Sequence, residues 1–105
     1  MTDSIVAFRM QLKSGFETEY QRRHNELWPE LRAALMDAGI VEYRIFLDPD
    51  TRSLFAYQRL APGADTSGLP NLPIVKTWWA YMADLMNVYP DNEPVAVVCP
   101  EVFCL

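Results

Sequence analysis

Apolar and polar positions alternate first over residues 5–12, "IVAFRMQL", where Val6, Phe8, Met10 and Leu12 fall on one side. A period of two predicts a strand. From Phe16 the period lengthens: Phe16, Tyr20, Leu27, Leu31 and Leu35 follow helical spacing, and Gly39 stands where a helix would end. Pro29 interrupts this run. A proline inside a helix cannot donate to the carbonyl four residues earlier, so the spacing predicts a break just after His24, or a helix that restarts with Pro29 as its first residue. Alternation returns over residues 40–47, "IVEYRIFL", placing Val41, Tyr43, Ile45 and Leu47 together, and again over residues 52–60 after the turn "DPDT". Residues 61–73 carry three prolines and two glycines and predict a long loop. A second helix follows from about Ile74, with Val75, Trp78, Trp79, Met82, Leu85 and Met86 on its apolar stripe. The tail "VAVVCPEVFCL" predicts strand, interrupted at Pro100.

The element order is therefore βαββαβ within one domain spanning residues 1–105. It predicts an α+β, ferredoxin-like sandwich: four antiparallel strands with two helices on one face. The opposite sheet face then needs cover, and pairing with a second copy would supply it as a dimeric α+β barrel.

Composition narrows the partners. Half of the residues are apolar, enough for one core. Carboxylates outnumber basic residues 14 to 9, for a net charge of -5. Phosphate backbones and anionic membrane surfaces attract an excess of Lys and Arg, so neither nucleic acid nor a membrane is expected as a partner. The first residues, Met-Thr-Asp-Ser, show no basic leader, and the longest apolar run is too short to cross a bilayer. Cys99 and Cys104 would face opposite sides of one strand. They are read as free thiols in a reducing cytoplasm.

One histidine occurs in the chain, His24, within "EYQRRHNELWPEL" at residues 19–31. At about 100° per residue it lies about 40° from Tyr20, on the apolar stripe rather than with Arg22 or Glu26. Two roles fit an imidazole so placed: a core histidine bonded to a carbonyl, or a general acid/base titrating near neutrality. Trp78 and Trp79 point about 100° apart on a helix, so one can face the core while the other lines a neighbouring space. Core packing and a sugar-contacting wall both suit them. Tyr43 needs a polar partner for its phenol if buried. Two phenols (Tyr20 and Tyr43), the imidazole and an indole can converge where the first helix meets the sheet. A metal is not expected, since one histidine lacks clustered ligands, and no glycine-rich phosphate loop or nucleophile elbow is present.

"EYQRRHNELWPEL", "YRIFLD", "LFAY", "WWAYMADLM", "PDNEPV" and "EVFCL", in this order, resemble the L-rhamnose mutarotase family along nearly the whole chain. The resemblance implies a ferredoxin-like homodimer that interconverts the α and β anomers of L-rhamnose without a cofactor. It places the proton donor on His24 and substrate contacts on Tyr20, Tyr43, Trp78 and Trp79. The implied chemistry is ring opening and reclosure, with His24 protonating the ring oxygen and Tyr20 or a water serving the anomeric hydroxyl. Two stretches depart from the family pattern. Residues 61–73 replace a more helical, charged segment, and Cys104 stands where a tyrosine is common. The first loosens the substrate expectation toward another 6-deoxy sugar or aldose, and the second bears on the dimer surface or the pocket edge. The alternatives are a cofactor-independent monooxygenase of the dimeric α+β barrel type and a non-catalytic sugar-binding module.

Overall fold

The computed structural model describes residues 2–105. Strand β1 (Ser4–Gln11) leads to α1 (Glu17–Asn25) and α2 (Pro29–Asp37). A hairpin of β2 (Ile40–Leu47) and β3 (Ser53–Leu60) follows, then a short 3-10 turn (Leu69–Asn71), α3 (Pro73–Met82) and β4 (Val97–Val98). The sheet order is β2-β3-β1-β4 and every pairing is antiparallel, the arrangement of a ferredoxin-like α+β fold.

The expected first helix is two helices. α1 ends at Asn25, and Pro29 opens α2 as its first residue, with Trp28 extended just before it. The missing N–H of Pro29 is harmless there and its fixed φ starts the new helix. The expected second helix is shorter than its apolar stripe. It stops at Met82, and Leu85 and Met86 are buried from the segment beyond it.

Two strands depart in detail from the regular ladders that the alternation predicts. A β-bulge between Ile40 and Glu42 shifts the register at the start of β2. Ile40 pairs with Leu60 and is buried, and Val41 falls in the bulge, half exposed. The tail contributes only Val97–Val98 to the sheet, against Arg9 and Phe8, plus a bond from Cys99 N–H to the Ala7 carbonyl. Pro94 and Pro100 bracket this pairing and can donate nothing to a ladder. Both cysteines are free; Cys99 follows β4 and Cys104 lies in the exposed tail.

The core lies between the helices and the inner face of the sheet. Met10, Leu54 and Ala56 meet Leu31, Trp78 and Met82 there. Gly39 ties the 61–73 loop to this layer. Its φ is +102°, its carbonyl accepts from Ala61 N–H at 2.9 Å, and the Ala38 carbonyl accepts from Asp65 N–H at 3.1 Å. A Cβ at position 39 would stand 2.3 Å from the Ala64 Cβ. Gly39→Ala therefore combines left-handed strain with a clash, and an unfolding-stability loss of about 1–3 kcal/mol or more is expected in urea titration. An unchanged midpoint would show that the loop is not latched at this glycine.

Candidate active site

A cleft of about 1100 Å³ opens between the helices and the inner face of the sheet. His24, Tyr20, Tyr43, Trp78 and Trp79 all line it. The five residues singled out in the sequence thus meet in one place, although they come from α1, β2 and α3.

α1 brings Tyr20 and His24 one turn apart on the same side. Their rings lie 4.3 Å apart. The His24 ring stands edge-on to Trp78, at 5.4 Å and 89°. Its Nδ1 is 3.0 Å from the Tyr20 carbonyl oxygen. A carbonyl only accepts, so Nδ1 carries the proton and Nε2 keeps its lone pair in the neutral ring. Burial pulls the imidazole below its ordinary 6.5, and the bond to the Tyr20 carbonyl opposes that shift in part.

The phenols move the other way. Tyr20 is buried, and the cost of burying a phenolate, followed by the nearby Tyr43, raises its pKa well above the ordinary 10. Tyr43 is pushed up to about 12 by burial, with the Gln58 side chain acting against the shift. More than a third of the Tyr43 residue surface is exposed where it lines the cleft. Both phenols remain O–H donors at neutral pH.

The tryptophans divide as the helical angle implies. Trp78 is 9% exposed and packs on His24, Trp28 and Tyr81, whereas Trp79 is only partly buried against the core. Trp79 also borders a smaller cavity of about 340 Å³ with Lys76, Asp91 and Glu93. Thr66, Leu69 and Pro70 of the 61–73 loop line the main cleft, so this atypical segment forms part of its wall.

Two features escaped the sequence reading. Gln58 sits opposite Tyr43 in the β2–β3 register and lines the cleft. Its signal was a polar residue in step with Leu54 and Ala56 on the inner face of β3. The other is the Trp28–Tyr81 pair, 5.3 Å apart, which backs Trp78. Among the described residues, no group of three or more His, Cys, Asp or Glu side chains is placed to hold a metal ion.

Fold and cleft together define a ferredoxin-like α+β protein with a candidate acid/base site built around one imidazole. The family model for L-rhamnose mutarotase matches residues 5–105. An L-rhamnose mutarotase of Flavobacterium johnsoniae is 50% identical over 99 residues, covering 94% of this chain and 92% of that protein. One from Acidiphilium cryptum is 50% identical over 100 residues, covering 95% and 96%. The crystal structure of an L-rhamnose mutarotase from Formosa agariphila superposes with a TM-score of 0.89 at 45% identity, covering 97% of this chain and 98% of that one. The chain belongs to the L-rhamnose mutarotase family.

Proposed function

We propose that this chain is a sugar mutarotase that interconverts the α and β anomers of L-rhamnose or a closely related 6-deoxy aldose. The family match over residues 5–105 carries this reading and favours it over the monooxygenase and binding-module alternatives. The cleft supplies chemistry suited to it. A neutral imidazole at Nε2 accepts the proton of the anomeric hydroxyl. The C1–O bond to that oxygen becomes the aldehyde carbonyl as the bond from C1 to the ring oxygen breaks. The imidazolium returns the same proton to the ring oxygen. Rotation about C1–C2 presents the other aldehyde face, and the reverse sequence closes the opposite anomer. The proton count balances with no cofactor or covalent intermediate.

In this scheme His24 is first a base and then the proton donor. Its lowered pKa supports that order over one that starts from imidazolium. Tyr20 and Tyr43 act as substrate-binding O–H donors that hold the sugar oxygens, because burial keeps them protonated. Trp78 and Trp79 provide the apolar wall for the C–H faces of the ring and its methyl group. A positioned acid/base contributes typically about 10²–10⁴-fold. The direct test is anomer exchange followed by NMR with L-rhamnose and a panel of other aldoses. Acceleration of L-rhamnose above its buffer rate is expected. Acceleration of none of the sugars would reject the proposal.

The pH dependence follows from the sign of the imidazole shift. A folded pKa below 6.5 keeps the base neutral at and somewhat below that pH, so kcat/KM should stay level there and fall only as pH drops through the lowered value. For the same reason the contribution of His24 to stability is present above 6.5 and lost as pH falls through the folded pKa. A profile whose acid limb lies above 6.5 would contradict the shift.

The outer sheet face supports a homodimer as part of this reading. Val97, Arg9, Phe55 and Phe46 form a row across all four strands on the side away from the helices, and Phe46 and Phe55 are exposed. Beyond β4, Val102, Phe103 and Leu105 are exposed too. A second copy packed on this face would complete a dimeric α+β barrel. Light scattering should then give twice the chain mass of 12.1 kDa. A cytoplasmic location is proposed on the free thiols of Cys99 and Cys104. Among the described residues no helix is long and apolar enough to cross a membrane.

A further inference from the structure

Arg23 precedes His24 and joins the two helices of the cleft. Only 12% of its side chain is exposed. Nε donates to Glu19 Oε2 at 2.7 Å, one turn earlier on α1. One terminal nitrogen crosses to the end of α3, donating to the Tyr81 carbonyl at 2.5 Å and to Asp84 Oδ1 at 3.0 Å. The other reaches Asp84 Oδ2 at 3.4 Å. The guanidinium carbon also lies 4.3 Å from the centroid of the Tyr81 ring.

α1 depends on such a clamp. It has nine residues, fewer than the ~12–15 an isolated helix needs, and Tyr20 is its one buried residue. The break before Pro29 means that α2 does not continue it. The contacts of Arg23 run onward to the imidazole. Tyr81 lies 5.7 Å from Trp78, and Trp78 lies 5.4 Å from His24. Arg23 thus reaches the far side of the wall on which His24 stands, while pointing about 100° away from the cleft around α1.

We propose that Arg23 is a positioning residue: by clamping α1 to the end of α3 it holds the His24 imidazole edge-on to Trp78 and on the Tyr20 carbonyl. This inference rests on the reading of His24 as the proton carrier. The planar fork of arginine serves Glu19 on α1, the Tyr81 carbonyl on α3 and Asp84 just beyond it at once, which the single ammonium of lysine cannot reproduce. The ionisable groups sharing the cleft with His24 are Glu17 and Tyr20 on α1, Arg32 on α2, Glu42 and Tyr43 on β2, and Glu93. None of these side chains hydrogen-bonds the ring, whose partner is the backbone carbonyl of Tyr20. The clamp therefore acts through geometry.

The single histidine makes the test clean, because one imidazole signal reports its titration and tautomer by NMR. Wild type, Arg23→Lys, Arg23→Gln and Asp84→Asn are compared, with kcat and KM for anomer exchange measured alongside. In Arg23→Gln the imidazole should titrate closer to 6.5 as it loses its buried seat. Its kcat should fall about tenfold to hundredfold with KM changed far less, since a displacement of about 1 Å can cost about 10²-fold. Arg23→Lys and Asp84→Asn should move both readouts in the same direction by less. An unchanged imidazole titration in Arg23→Gln overturns the proposal even if activity falls. A shifted titration with unchanged kcat upholds the positioning role and instead rejects His24 as the proton carrier. If Arg23→Gln does not fold, the lysine and Asp84→Asn variants decide the matter, and an unmoved imidazole in both overturns it.

Discussion

Trp78→Ala is expected to remove about 3–5 kcal/mol of stability, the usual cost of deleting a buried indole. Trp78 is the joint of the aromatic cluster. It is 9% exposed and meets Trp28 at 5.0 Å, His24 at 5.4 Å and Tyr81 at 5.7 Å. Truncation would leave a cavity beside all three rings and remove the packing that joins them. Domains of this size are stable by roughly 5–15 kcal/mol, so the variant should be marginal or unfolded in urea titration at room temperature. Trp79→Ala should cost less, because Trp79, which also lines the cleft, is only partly buried. Its effect should fall more on KM. Equal or greater destabilisation by Trp79→Ala would mean that the packing roles of the two indoles are reversed.

Much of this arrangement was legible in the residue pattern, for identifiable reasons. Alternation gave β1 and β3 to within a residue, because each buries one face. The helical angle placed Tyr20 and His24 together and separated Trp78 from Trp79, since both inferences need only local geometry. What failed depended on the partner rather than the segment. The bulge at the start of β2 arises from pairing with β3, which the alternation of residues 40–47 does not record. The tail is rich in strand formers, yet only two residues find a neighbouring edge. Met82 ends α3 while the apolar stripe continues, because Leu85 and Met86 are buried by the loop that leaves the helix. The residue pattern alone does not tell Arg23 from its neighbour Arg22. Only the approach of Asp84 and the Tyr81 carbonyl, about sixty positions later, distinguishes the two arginines.

His24→Ala should separate chemistry from folding. The ring is partly exposed, and its one side-chain hydrogen bond is to a helix carbonyl within the same turn. Losing that bond should cost about 0.5–1.5 kcal/mol, leaving a folded protein with unchanged far-ultraviolet dichroism. No other imidazole exists in the chain to replace it. The phenols of Tyr20 and Tyr43 are poor substitutes as bases, because burial holds them protonated. Activity should therefore fall by about 10²–10⁴-fold while binding of the sugar persists through the tyrosines and tryptophans. Loss of the fold instead would return His24 to the role of a core residue.

The measurement closest to the central claim is saturation transfer between the two anomeric protons of L-rhamnose, with wild type and His24→Ala compared at equal concentration. The expected result is exchange accelerated by the wild type and held at the buffer rate by the folded variant. Equal acceleration by both proteins would contradict a mechanism that runs through this imidazole.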